Sequence, residues 1–412
     1  MELEFKGACR EVGRSAVLVD DKLMMDYGVS PGEHIKYPVN GSRPEAVLVS
    51  HAHIDHSGAV PNLMDLEPDI YMTPPTFDLT HMLANDTLRI AERKGEIPAY
   101  DSIDLSKFVH KTKQVDTGVE FHTHGYDVEF LNAGHIPGAS AIHVRDKEGK
   151  SLFYTGDINT LDTRLVSGAI DFPDSDILIT ESTYFGDDHS PRKEIEKEFI
   201  DSVQDTLDIG GNVIIPAFAI GRTQEILMLL DAHGIRAYVD GMGVQAYKIM
   251  SKHPEYIRNP THLKKAFSNA TMVTGRKRNR IALDSSVIVT TAGMLNGGPV
   301  MYYLKKVFKD PKSKILITGY QVEGTNGRLA VDNGIIDNDG IIQQLGIKVE
   351  QYDFSAHCGD KELKEIVSDF CDRGTENVFT MHGDDCEGFA DWVKEEIGVE
   401  AFAPEIGERF TL

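Results

Sequence analysis

Apolar positions fall into short runs that each close on small or polar residues: AVLVS before His51, VEFLNAG before His135, SLFYTG before Asp157 and DILIT before Glu181. Short apolar runs bounded by turn formers read as buried strands. The histidines and carboxylates follow at the strands' carboxyl ends, where open α/β sheets carry their ligand sites. From about residue 186 the pattern changes to strands alternating with helices: NVIIP, AFAIGRTQEILMLLDAHG, IRAYVDG, SVIVTTAG and KILITG. That alternation predicts a small parallel α/β unit. After about residue 350 the first style returns with FSAH, a helix from about Lys361 to Cys371, and the strand ENVFTMHGD. The middle unit therefore reads as an insertion (186–350) that divides one domain into residues 1–185 and 351–412, and a chain of 412 residues suits two units better than one core.

Composition adds limits. With 41% apolar and 26% charged residues the chain is an ordinary globular one. The start, MELEFKGACREVG, is no secretory leader, and no apolar run reaches the roughly 20 residues that cross a bilayer, so a cytoplasmic protein without a membrane partner is expected. Cys9, Cys358, Cys371 and Cys386 show no CxxC spacing and read as free thiols. A formal net charge of −23 excludes a uniformly basic, nucleic-acid-coating surface. Any nucleic acid must meet a local basic groove, because phosphate binding is driven by Lys and Arg.

The densest chemistry is HAHIDH, with His51, His53, Asp55 and His56 directly after a strand. Imidazole nitrogens and carboxylate oxygens are ligands that zinc accepts. Alternation in an extended segment would turn His51, His53 and Asp55 to one side, with His56 reaching a second metal through a tight loop. His135 alone reads equally well as a hydrogen-bonded loop residue. Its small neighbours Gly134, Gly138, Ala139 and Ser140 nevertheless allow backbone to pack close to an ion. Asp157 in FYTGDIN has the same setting, and a carboxylate between two cations offers one oxygen to each.

HAHIDHSG, GHIPGA and YTGD together resemble the successive metal motifs of the metallo-β-lactamase superfamily. The resemblance implies an αββα sandwich of α/β class in which His51, His53 and His135 hold one zinc, Asp55 and His56 the other, and Asp157 bridges them. It also implies that Asp26 in LMMDYG orients a ligand loop. ESTYFGD, FSAHCGD and FTMHGD resemble, in order, three further motifs of the β-CASP nucleases, as do PAFAIGRTQE, GMLNGGP and GYQVEGTNGR. These imply an inserted β-CASP domain, an acid at Glu181, a histidine at His357 and a further metal-ligating histidine at His382. Two Zn²⁺ ions per chain are expected, with Mn²⁺ as a substitute.

The implied activity is hydrolysis of single-stranded RNA in RNA processing or decay, endonucleolytic with accompanying 5′→3′ exonuclease action. A mainly 5′→3′ exonuclease of ribonuclease J type is the alternative. A small-molecule metallo-hydrolase and an inactive processing-complex subunit rank lower, because the insertion and all the ligands are present. Asp55, Glu181, His357 and Asp26 are the catalytic candidates. His357, paired with Glu181, suits a general acid. Candidate RNA contacts are Arg222, Arg328 and Ser355, together with Arg276, Lys277 and Arg278 of GRKRNR, which reads equally well as a solvated loop. FSAH resembles the cleavage and polyadenylation specificity factor type and the compact chain the short archaeal homologues, so membership of an RNA-processing complex and a homodimer are both compatible.

Overall fold

The computed structural model describes residues 1–30, 35–275, 277–281, 283–338 and 340–412. Two compact units emerge. The first comprises Met1–Asp162, Ser167–Asp188 and Ala356–Leu412; the second comprises Thr163–Val166 and His189–Ser355. The crossings thus lie three and five residues beyond those read from the pattern, and the second unit also takes in the short segment Thr163–Val166.

The first unit is built on two seven-stranded sheets. One runs in the order Arg409–Thr411, Glu2–Gly7, Ala16–Val19, Leu23–Met25, Ala46–Leu48, Asp69–Met72 and Thr112–Gln114. The other runs Glu400–Phe402, Asn377–Met381, Ile177–Glu181, Ser151–Tyr154, Ser140–Asp146, Tyr126–Asn132 and Glu120–Thr123. The period of two divides each strand between layers. Val17 and Val19 join Phe5, Leu48, Phe130, Ile142 and Phe379 in the core between the sheets. Ala16 and Leu18 turn to the opposite face, where Leu105 and Phe108 of the helix Ser102–Lys111 cover them. On the second sheet's outer face, Phe153 packs on Phe370 of the helix Asp360–Asp372 at 4.9 Å. Helix, sheet, sheet and helix form the four layers. After the second unit the chain returns to pair Asn377–Met381 in parallel with Ile177–Glu181 and closes the first sheet with Arg409–Thr411.

The second unit has a six-stranded, all-parallel sheet in the order Thr271–Val273, Ala237–Asp240, Val287–Thr290, Val213–Pro216, Lys314–Ile317 and Lys348–Gln351. Ile214, Ile288, Ile315 and Ile317 pack beneath Val300, Tyr303 and Leu304 of the helix Pro299–Val307. Among the described residues no helix is long and apolar enough to cross a membrane.

Candidate metal centre

Strand ends of the first unit deliver the candidate ligands. Asp26 follows Leu23–Met25, His51 lies just past Ala46–Leu48, and His135 lies past Tyr126–Asn132. Asp157 lies past Ser151–Tyr154, Glu181 ends its own strand, and His382 follows Asn377–Met381. Asp26 and His382 both adopt left-handed backbone, at φ 56° and 54°, which turns their side chains across the sheet edge.

Two groups of donors result: His51, His53, His135 and Asp157, and Asp55, His56 and His382. In the first, His53 Nδ1 lies 3.2 Å from His51 Nε2 and 3.0 Å from His135 Nε2. In the second, His56 Nε2 lies 3.2 Å from His382 Nε2, which is 3.5 Å from Asp55 Oδ2. Asp157 stands between them. Its Oδ2 faces His51 at 3.3 Å and His135 at 3.5 Å, while its Oδ1 faces His56 at 3.0 Å and His382 at 3.8 Å. The expectation that Asp55 turns with His51 and His53 fails. Residues Ile54–Ser57 form a helical turn, which replaces the strand's period of two and directs Asp55 and His56 together to the second group.

The donor set fits divalent cations. Imidazole nitrogens converging at 3.0–3.2 Å come within a few tenths of an ångström of the edge, about 3.3–3.4 Å, of a tetrahedron with metal–nitrogen bonds of about 2.0–2.1 Å. Asp157 Oδ1 is buried and accepts no well-formed hydrogen bond from the described residues. Unpaired buried carboxylate oxygens are costly, and a cation satisfies one. Burial, reinforced by neighbouring histidines, lowers the pKa of His51 and His135 and brings His53 down to about 3, so all three are neutral, as ligation requires. Burial raises the Asp157 pKa, but the charges on His56, His382 and His357 outweigh it and leave the group ionised.

Most of the rings are also held from behind. His56 Nδ1 lies 2.7 Å from Asp26 Oδ2, His51 Nδ1 lies 3.1 Å from Ser50 Oγ, and His382 Nδ1 lies 3.2 Å from Thr183 Oγ1. His135 Nδ1 lies 2.8 Å from the Ala356 carbonyl oxygen. Such partners fix tautomer and ring orientation. Asp26 is itself gripped by the Ser50 N–H and hydroxyl, each at 2.7 Å, and by the Tyr154 hydroxyl at 2.8 Å. Sequence reasoning named neither Ser50 nor Tyr154 as a partner. The available signal was their place inside motifs already noted, Ser50 directly before HAHIDH and Tyr154 opening YTGD.

Beside this cluster, His357 Nδ1 meets both oxygens of Glu181, at 2.8 and 3.0 Å, and its Nε2 faces Asp157 Oδ2 at 3.7 Å. Burial lowers the His357 pKa, yet the charges of Glu181 and Asp157 and the Glu181 hydrogen bond raise it to about 9. Glu181 also lies within ligand reach of Asp157 and His382. Its oxygens are already engaged by His357 and by the Ile158 N–H at 2.6 Å, which marks it as the holder of His357.

Three family models match: a beta-lactamase superfamily domain over residues 30–204, a Beta-Casp domain over 223–329, and a Zn-dependent metallo-hydrolase RNA specificity domain over 344–404. "Probable RNase MJ4" of Methanocaldococcus jannaschii is 36% identical, with all of both chains covered. The chain belongs to the β-CASP family of metallo-β-lactamase-fold RNA hydrolases. "RNase aCSPSF2" of Saccharolobus solfataricus, a relative of this β-CASP chain, is also 36% identical, over all of this chain and 85% of its own. "Transcription termination factor FttA" of Thermococcus kodakarensis is 33% identical, over 97% of this chain and 69% of its own.

The described residues singled out for RNA lie in the second unit, and most are engaged there. Arg222 Nη1 donates to the Phe354 carbonyl oxygen, Arg328 pairs with Asp332 at 2.7 Å, and the Ser355 N–H donates to Asp353 Oδ1 at 2.9 Å. Arg278 forks onto Asp240, with Nε at 2.5 Å and Nη2 at 3.0 Å. Lys277 is exposed, and Arg276 lies outside the described residues.

Proposed function

We propose that this β-CASP enzyme is a two-zinc ribonuclease cutting single-stranded RNA internally, with 5′→3′ exonuclease action as a companion activity. The observation that carries the reading is Asp157, whose two oxygens face two separate sets of histidines. His51, His53 and His135 would hold one ion and Asp55, His56 and His382 the other, with Asp157 shared. Manganese is the expected substitute. Such a pair supplies water activated for attack near neutral pH and neutralises charge on the phosphodiester. The chain's own residues do the rest. Asp26 and Ser50 orient His56 and His51. Glu181 holds the Nδ1 proton of His357, which leaves the Nε2 proton directed at the cluster, available to a departing ribose oxygen.

Exonuclease action would further need a grip on a terminal phosphate, and Ser355 is the proposed contributor. The two modes separate on a circular single-stranded RNA. Fragments from the circle are expected, along with cutting of linear RNA whatever its 5′ end. An intact circle, with mononucleotides released only from 5′-monophosphorylated RNA, would overturn the endonuclease reading and leave the exonuclease.

A further inference from the structure

The second unit carries a patch of opposite sign to the acidic chain. Lys277, Arg278 and Arg280 stand at the 3-10 turn Arg278–Arg280, and Lys305, Lys306 and Lys309 at and just beyond the end of the helix Pro299–Val307. Distant in sequence, the two elements are held side by side by a buried carboxylate. Asp240, 2% exposed, takes the forked guanidinium of Arg278 and also the Tyr303 hydroxyl of the helix at 2.7 Å. The next tyrosine completes the join. Tyr302 donates to Asn279 Oδ1 at 2.7 Å, and its ring has Lys306 Nζ 4.7 Å and Arg278 Cζ 5.6 Å from its centroid.

Arg278 is consumed in this join and is neutralised by Asp240. The remaining five cations are all exposed, and among the described residues none pairs with a carboxylate. The nearest acid in sequence, Asp310, is taken up locally by the Ser313 hydroxyl at 2.5 Å and the Lys312 N–H at 3.1 Å. Five like charges on a fixed frame repel one another, and an anion placed across them relieves that repulsion. A chain of net charge −23 repels RNA at long range, so a polyanionic substrate needs a positive foothold somewhere on it.

We propose that Lys277, Arg280, Lys305, Lys306 and Lys309 form a second RNA-contacting site, one that grips the sugar–phosphate backbone of single-stranded RNA without reading bases and uses none of the metal-centre residues. The proposal rests on the RNA-hydrolase reading. The site holds a substrate that extends beyond the scissile bond, so it acts on affinity for long RNA and on its salt dependence. It has no part in bond breaking.

The test replaces Arg280, Lys305, Lys306 and Lys309 together by glutamine. Both parent and variant carry His357→Ala, so that cleavage is slow on the timescale of the measurement, and both are zinc-loaded 412-residue chains. Binding of a fluorescent oligouridylate of about 30 nucleotides is followed by polarisation across a salt series. The variant is expected to bind about tenfold or more weakly, with a log–log salt slope shallower by about 3, since each phosphate contact to a single strand contributes about 0.7. Zinc content and circular dichroism matching the parent would exclude misfolding, and Lys305→Gln/Lys306→Gln alone should give about half the slope change. Equal affinity and slope in parent and variant would overturn the second site while leaving the RNA reading standing. A parent that binds no RNA would sink both. A change of oligomeric state at unchanged RNA affinity would assign the patch to an acidic copy of this chain and also overturn the proposal.

Discussion

Replacing His357 by alanine is expected to slow RNA cleavage by about 10²- to 10⁴-fold while both metals stay bound, the range general acid catalysis supplies. The geometry separates His357 from the ligands. Its Nδ1 is spent on Glu181, and among the described residues none of the converging donor groups includes it. The same arrangement sets a pH dependence. His357 must be protonated to act, so activity falls as pH rises through its pKa, which burial lowers but Glu181 and Asp157 raise to about 9. Cations at Asp157 would oppose that rise, which makes Glu181 the group that keeps the proton in place. Glu181→Gln should therefore move the alkaline limb of the rate profile to lower pH. Elemental analysis with single-turnover rates across pH checks both variants. If His357→Ala lost metal in step with activity, His357 would be a ligand and the assignment wrong.

Asp157→Asn is expected to have the larger effect, cutting bound metal from about two ions per chain to one or none and turnover by about 10³-fold or more, since metal-ion stabilisation of the transition state supplies several kcal/mol. An amide presents one oxygen where the carboxylate presents two, so the link between the two histidine sets is cut whichever way the side chain turns. Asp157 is 3% exposed, and in the metal-free chain its charge also offsets that of His56, whose pKa burial lowers but Asp157 and Asp26 raise well above the ordinary value. The variant is therefore checked by circular dichroism as well as by metal content. A folded Asp157→Asn chain that kept two metals would remove the bridging role.

What was legible in the sequence was what depends on local pattern. HAHIDH announced a metal site because six adjacent residues carry four potential ligands, three His and one Asp, and strand ends at His135, Asp157 and His382 were visible as apolar runs stopping at a polar residue. The facing of Asp55 was not legible in the alternation, because a single helical turn inside a polar segment has no apolar period to reveal it; only the motif resemblance grouped Asp55 with His56. Nor were the contacts that lock the rings. The His135 Nδ1 contact with the Ala356 carbonyl oxygen spans 221 positions, and Tyr154 reaches Asp26 across 128. Pairings of that kind are set by sheet order, which alternation along one strand does not encode. GRKRNR read as one basic run, yet Asp240 withdraws Arg278 from it and brings Lys305 and Lys306 alongside. A buried acid in a different strand made that division.

Stepwise zinc titration of the chelator-stripped wild-type chain, with cleavage of end-labelled single-stranded RNA recorded at each step, tests the central claim most directly. Two cations shared through Asp157 predict little cleavage at the first equivalent and a steep rise that saturates at the second. Full activity at one equivalent, or cleavage by the stripped chain, would contradict it.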